Sequence, residues 1–113
     1  MNFEIKFVPS FLKSLKHLAK KYPSIKHDLT EFAESLRQNP FQGAEIAPGI
    51  RKIRMAITAK GRGKSGGARV ITFTVMTNEM GEVYMLDIYD KSEYTAVDVS
   101  VIKDIIERLE LDV

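Results

Sequence analysis

The sequence predicts one α+β domain in which a helical hairpin packs on a small, mostly antiparallel β-sheet. Two adjacent segments near the start carry apolar residues at helical spacing, and three later segments joined by short connections are strand-like. A length of 113 residues is typical of a single domain, so we expect residues 1–113 to form one unit. The predicted order of elements is β-α-α-β-β-β-α.

The first strand and the helical hairpin occupy the first forty residues. Residues 3–7 alternate between apolar and charged side chains, as a short strand does. The first helix opens at Pro9, and Ser24 is predicted to cap the second helix, which ends before Pro40. The expected buried stripes consist of Phe11, Leu12, Leu15, Leu18, Ala19 and Tyr22 in the first helix and Ile25, Leu29, Phe32, Ala33 and Leu36 in the second.

The sheet is predicted mainly from the middle of the chain. Residues 41–49 are interpreted as a loop. Residues 52–57 then alternate between basic and apolar side chains, so Lys52 and Arg54 are expected to share one face of a strand. A glycine-rich connection leads to residues 69–75, which are rich in β-branched side chains and are predicted to form the next strand.

A turn at residues 78–81 precedes the last predicted strand, residues 83–89. Alternation places Tyr84, Leu86 and Ile88 on one face of this strand and Met85, Asp87 and Tyr89 on the other. Apolar residues at helical spacing between Val99 and Leu109 predict a C-terminal helix.

Positive charge is concentrated in one segment. Residues 46–78 carry seven Lys and Arg and no acid, whereas the rest of the chain sets ten Lys and Arg against all fifteen Asp and Glu. The overall charge of +2 therefore hides a strongly basic region. Such a region favours an anionic partner and indicates where a functional site lies.

Several classes of function are disfavoured by composition. The absence of cysteine excludes thiolate catalysis and sulfur-ligated metals. His17 and His27 lack metal-ligand spacing and are interpreted as structural, so we expect no metal or cofactor. The run of residues 61–67 lacks the glycine spacing of a nucleotide-binding P-loop and leads into a strand. Without a signal peptide or a long apolar run, a cytoplasmic protein that does not enter a membrane is expected.

Three segments resemble the RelE/HigB family of toxins from type II toxin–antitoxin modules. They are Ile50-Arg-Lys-Ile-Arg54, Gly-Lys-Ser-Gly-Gly-Ala-Arg-Val-Ile over residues 63–71, and Leu-Asp-Ile-Tyr-Asp-Lys-Ser-Glu over residues 86–93. The resemblance covers nearly the whole chain and is greatest to the HigB-like branch. It implies the compact RelE-like fold and an mRNA interferase that cleaves the message in the ribosomal A site.

The resemblance also implies which residues act. Lys52, Arg54, Arg69 and Lys91 occupy the basic positions expected to be catalytic. Contacts with RNA or the ribosome are expected from Arg51, Lys60, Arg62, Lys64 and Tyr89. The tyrosine that stacks on a base in some relatives is replaced by Val97, and Tyr89 or Tyr94 would substitute for it.

Cleavage by attack of the ribose 2′-hydroxyl needs a base, an acid and stabilisation of charge at the phosphate. Because the basic segment contains no histidine, Lys52 or Arg54 would assist deprotonation. Arg69 would stabilise the developing negative charge, and Lys91 would either protonate the leaving 5′-oxygen or bind phosphate.

Two other functions remain open at the level of sequence. A ParE-like relative would share the fold and inhibit gyrase, and a non-catalytic or inactive homologue would bind RNA without cutting it. The clustered cations favour the nuclease. The expected partners are mRNA, the ribosome and a cognate antitoxin, which the resemblance indicates is a small helix-turn-helix protein encoded by a neighbouring gene.

Overall fold

The computed structural model describes residues 2–61, 63–93 and 98–109. Within them it confirms the α+β class, with three α-helices and one five-stranded sheet that is mostly antiparallel. In chain order the elements are β1 (Asn2–Phe7), α1 (Pro9–Lys21), α2 (Ile25–Gln38), β2 (Ala44–Ala47), β3 (Ile50–Met55), a 3-10 turn (Thr58–Lys60), β4 (Ala68–Met76), β5 (Met80–Asp90) and α3 (Val99–Arg108).

The sheet has the strand order β1-β5-β4-β3-β2. β1 pairs in parallel with β5, and every other pair is antiparallel. Beyond the end of β1, helix α1 continues along β5, where the hydroxyl of Ser10 donates to the carbonyl of Leu86 at 2.6 Å. None of the described helices is both long and apolar enough to cross a membrane.

The helical hairpin packs its apolar stripes against the sheet. Phe11, Leu15 and Leu18 of α1 are buried, as the helical spacing predicts. Leu12 is an exception, because half of its surface is exposed, so its assignment to the buried stripe was wrong. In α3 the spacing is confirmed, but only Ile102 is fully buried.

The interpretation of residues 41–49 as a loop was wrong, because they contain strand β2. Gly43 and Gly49 flank this strand with positive φ angles of 73° and 77°, a conformation that L side chains rarely adopt. A Cβ on Gly43 would also collide with the backbone carbonyl of Lys52. Glycine at both ends lets a very short strand join β3, and the same glycines make the sequence look like a loop.

The predicted alternation of β5 was wrong at its centre. Ile71 pairs with Asp87 while the next residue, Thr72, pairs with Met85, so Leu86 is an extra residue in a β-bulge. Met85 and Asp87 therefore lie on opposite faces of the sheet. The bulge directs Asp87 and Tyr89 to the face that carries Lys52.

Ser24 occupies the N-cap position of α2, as predicted, but its side chain makes no capping bond to the start of the helix. Its hydroxyl donates to Asp28 Oδ2 at 2.9 Å and accepts from the amide of Ala59 at 3.0 Å. Asp28 also accepts from the amide and hydroxyl of Thr58, at 2.9 and 2.5 Å. These bonds fasten α2 to the 3-10 turn that begins the glycine-rich connection.

Candidate nucleic-acid interface

The central feature of the interface is a row of three side chains across adjacent strands. Arg54 of β3 pairs with Arg69 of β4, and Arg69 pairs with Tyr89 of β5. Directly opposed residues project from the same face of a sheet, so these three side chains are neighbours. Lys52 lies two residues before Arg54 and shares that face.

These side chains open into a cavity of about 680 Å³, which we call the cationic cavity. Its lining consists of Gln42, Gly43, Ala44, Lys52, Ile53, Arg54, Lys64, Arg69, Tyr89 and Lys91. Five of these residues are cationic and none is acidic. No described carboxylate forms an ion pair with any of the five. The cavity therefore concentrates positive charge that the fold does not neutralise.

The guanidinium of Arg69 holds the glycine-rich connection in place through hydrogen bonds. Its side chain is buried, with 7% of the residue exposed. The guanidinium donates to three carbonyl oxygens, those of Lys64 at 3.2 Å, Ser65 at 3.1 Å and Ala68 at 3.1 Å. Within the part of the chain that the structure describes, these bonds use three of its five N–H groups and leave Nε–H and one Nη2–H for another acceptor.

Lys91 and Lys64 reach the cavity from two neighbouring turns. The amide of Lys91 donates to the carbonyl of Gly67 at 3.1 Å, which ties the end of β5 to the glycine-rich connection. Gly67 itself packs against β3, where an added Cβ would collide with the carbonyl of Met55. Both lysine side chains are exposed, so they are available to a ligand.

Tyr89 stands at the boundary of the cationic cavity. Its burial raises the pKa of the phenol, the positive charge of Arg69 opposes that rise, and Asp87 adds to it. The ring is half-buried and lines a second cavity on its other side. A planar side chain in this position offers a surface on which a base can stack.

Arg51 does not join the other predicted contact residues. It pairs with Thr72 and so lies on the face opposite Lys52 and Arg54. Its guanidinium donates to the carbonyls of Phe41, Gln42 and Gly43 at 3.0, 3.4 and 3.3 Å. The guanidinium carbon also lies 5.5 Å from the centre of the Phe41 ring. Arg51 thus holds the segment that follows α2 in place.

Lys60 is also held away from the cavity. Its ammonium group forms an ion pair with Asp90 Oδ1 at 2.7 Å, and its side chain is only 11% exposed. Asp90 is fully buried and accepts further bonds from the hydroxyl of Tyr22 at 2.5 Å and from the amide of Ser92 at 3.0 Å. We call Lys60, Asp90, Tyr22 and Ser92 the Asp90 cluster.

The ionised form of Asp90 is strongly favoured. Burial by itself raises the pKa of a carboxyl group, but bonds from Lys60, Tyr22 and Ser92 together hold the pKa of Asp90 well below its ordinary value of 3.8. Asp28 follows the same pattern, because bonds from Thr58 and Ser24 outweigh its burial and lower its pKa. Both acids therefore serve as anchors of the fold.

Two other predicted contacts, Arg62 and Tyr94, lie outside the described residues. His27 lies on the surface of α2, with Nε2 3.3 Å from a carboxylate oxygen of Glu31. His17 lines the second cavity together with Asp87 and Ser14. Sequence reasoning missed this second cavity, since its walls come from α1, β5 and α3, which are far apart in the chain.

No protein-family model matches the sequence. The cationic cavity presents several positively charged hydrogen-bond donors on one concave surface, with the ring of Tyr89 at its edge. Such a set suits a phosphodiester, because several cations can reach the same phosphate oxygens without a competing carboxylate.

Proposed function

We propose that the protein is a toxin of the RelE/HigB type, a ribosome-dependent endoribonuclease that inhibits translation by cleaving mRNA in the A site. The observation that supports this proposal most directly is the cationic cavity, in which five cations and no acid surround one half-buried tyrosine. A charge arrangement of this kind suits a polyanionic backbone, and the flanking aromatic ring suits a nucleic acid base.

The proposed reaction requires no metal. The 2′-oxygen of one ribose attacks the adjacent phosphorus, the bond to the 5′-oxygen breaks, and the products are a 2′,3′-cyclic phosphate and a 5′-hydroxyl. Lys52 or Arg54 assists removal of the 2′ proton, and Lys91 supplies a proton to the leaving oxygen or holds the phosphate. Arg69 stabilises the negative charge that develops on the phosphate oxygens.

The described contacts favour this division of roles. Three carbonyls hold the guanidinium of Arg69 in place, and two of its N–H groups donate to no described partner and remain for a ligand. Arg54 is exposed and directly opposite Arg69, so one phosphate can contact both guanidinium groups. Rigid, preorganised donors are the arrangement that stabilises a developing charge best.

The test is to map new RNA ends in a translating extract with wild-type protein and with Arg54→Ala. We expect 5′-hydroxyl ends within reading frames only while ribosomes translate, and about a hundredfold slower cleavage by Arg54→Ala, the usual effect of losing one transition-state donor. Arg37→Ala is the matched control, because it removes the same charge from the exposed surface of α2.

Other outcomes would redirect the proposal. Equal cleavage by the wild type and Arg54→Ala would contradict the assigned site. Growth arrest with a DNA damage response and intact messages would identify a gyrase inhibitor instead. Salt-sensitive RNA binding without new ends would identify a non-catalytic RNA-binding protein.

A further inference from the structure

A second cavity of about 630 Å³ lies on the other side of Tyr89, between α1, the end of β5 and α3. Its volume falls within the range of small-ligand sites. Its lining includes Ser14, Leu18, Ile71, Asp87, Tyr89 and Ile102. Among the described residues Tyr89 is the one that lines both cavities, so a ligand that passes over its ring reaches both.

The two cavities differ sharply in charge. Asp87, Glu93 and Asp98 place three carboxylates in the lining of the second cavity, beside Lys13 and His17, and Glu93 also lies 3.8 Å from Lys21 Nζ. A phosphate is therefore repelled there and attracted to the cationic cavity. Leu18, Ile71 and Ile102 are buried apolar residues in the same lining. A flat, uncharged group with polar edges suits a surface of this composition.

Asp87 gives the second cavity a specific hydrogen-bonding requirement. Its Oδ1 accepts from the hydroxyl of Ser14 at 2.6 Å and from the amide of Ile88 at 2.9 Å. Within the described residues Oδ2 accepts no hydrogen bond. Because both residues line the cavity and the proton of Ser14 is committed to Asp87 Oδ1, Asp87 Oδ2 and Ser14 Oγ can act towards a ligand as acceptors. A ligand that satisfies both must bring hydrogen-bond donors, and the amino group of a nucleobase brings two N–H groups on one nitrogen.

We propose that the second cavity binds one unpaired nucleobase that carries an exocyclic amino group, from an RNA whose neighbouring phosphate occupies the cationic cavity. This inference rests on the proposed function and adds a base preference to it. Adenine, guanine and cytosine each present an amino group that donates to Asp87 Oδ2. Uracil has a single N–H between two carbonyl oxygens. A carbonyl oxygen of uracil would therefore face Asp87 Oδ2 or Ser14 Oγ, and two acceptors form no hydrogen bond.

The experiment uses pentanucleotides with 2′-O-methyl riboses, which cannot be cleaved by 2′-oxygen attack. One is all uracil, and the others carry a single adenine, guanine or cytosine at the centre. Binding to the full-length protein is followed by amide chemical shifts, which give both the affinity and the residues affected. We expect the three amino-bearing oligonucleotides to bind about tenfold more tightly than all-uracil, the effect of one hydrogen bond to a charged acceptor.

Asp87→Asn is the decisive variant. The Asn oxygen can keep the bonds from Ser14 and Ile88, while the free Oδ2 becomes an amino group that donates. We expect the preference for amino-bearing bases to disappear in Asp87→Asn, with thermal stability close to that of the wild type. Amide signals of Ser14 and Ile102 should shift with the amino-bearing ligands and not with all-uracil.

A second variant separates this inference from the proposed function. Lys52→Ala should weaken all four oligonucleotides by a similar factor and leave the base preference intact. Equal affinity of the wild type for all four, or an unchanged preference in Asp87→Asn, overturns the base site while binding that depends on Lys52 keeps the RNA interface. Failure of every oligonucleotide to bind the wild-type protein overturns the base site, whereas the proposed function is judged separately by end mapping in the translating extract.

Discussion

The cationic cavity and the Asp90 cluster use the same kinds of side chain and differ in whether the charges are matched. In the Asp90 cluster, Lys60 meets a fully buried carboxylate at 2.7 Å and is removed from solvent. In the cationic cavity, Lys52, Lys64 and Lys91 have no carboxylate partner among the described residues. A matched cation stabilises the fold, whereas an unmatched group of cations remains available to an external anion.

Lys60 and Lys64 provide the strongest test of this difference, because they lie four residues apart in the same connection. Lys60→Ala leaves buried Asp90 with the more distant Lys21, whose Nζ lies 3.9 Å from Oδ2, and we expect a loss of about 3 kcal/mol in the free energy of unfolding. Lys64→Ala removes an exposed side chain, so its effect on stability should stay within about 0.5 kcal/mol. Urea denaturation followed by circular dichroism measures both.

If the two variants unfolded at the same urea concentration, the ion pair between Lys60 and Asp90 would not stabilise the fold. The activities should show the opposite order. Lys64→Ala should bind RNA more weakly and reduce the salt dependence of binding by about one ion. Lys60→Ala, measured below its unfolding transition, should retain the salt dependence of the wild type.

Acid should disrupt the Asp90 cluster before other parts of the fold. The pKa values of Asp90 and Asp28 are lowered in the folded protein, so both groups add stability above their ordinary pKa of 3.8. That stability is lost as the pH falls through the folded pKa values, because the unfolded chain binds protons more readily. We expect the free energy of unfolding to drop steeply below about pH 4.

The measurement is urea denaturation at a series of pH values between about 2 and 7, with Asp90→Asn beside the wild type. Asp90→Asn should be less stable at neutral pH and lose less of its stability on acidification. A parallel decline in the two proteins would show that Asp90 is not responsible for the acid sensitivity.

Arg51 gives a smaller effect of the same kind. Arg51→Ala removes three hydrogen bonds to the segment that follows α2, and we expect a loss of about 1–2 kcal/mol in stability. Cleavage per folded molecule should remain near that of the wild type, since Arg51 lies on the opposite face from Arg54. Thermal denaturation and end mapping on the same preparations check both, and a loss of cleavage at full stability would return Arg51 to the RNA interface.

Much of the fold could be predicted from local pattern. The sequence predicts the helical spacing in α1 and α2, because that spacing depends only on residues close together in the chain. The same holds for the alternation of Lys52 and Arg54 with apolar residues. Strand β2 could not be recognised, because four residues between glycines carry little periodic signal. The bulge at Leu86 depends on pairing with β4, so the sequence of β5 alone does not predict it.

The candidate site also combines features that depend on local sequence with features that depend on contacts between distant segments. Strand alternation predicts that Lys52 and Arg54 share a face, whereas the position of Arg69 beside them depends on the hairpin register, which the sequence leaves open and the structure supplies. The burial of Lys60 in an ion pair depends on Asp90, thirty residues later, and on Tyr22, far earlier in the chain. A charge count along the sequence treats Lys60 and Lys64 alike, because only the folded chain shows which cation meets a carboxylate.

Placing one carboxylate in the cationic cavity tests the central claim most directly. Ala44 is exposed, lines the cavity and pairs with Lys52, so Ala44→Glu introduces an acid without removing a hydrogen bond or a proposed catalytic group. Ala44→Gln is the uncharged control of nearly the same shape. We predict that Ala44→Gln cleaves mRNA within about twofold of the wild type and Ala44→Glu at least tenfold more slowly, with equal thermal stability. Equal cleavage by the two variants would contradict the claim that the unmatched cations of this cavity bind the RNA phosphate.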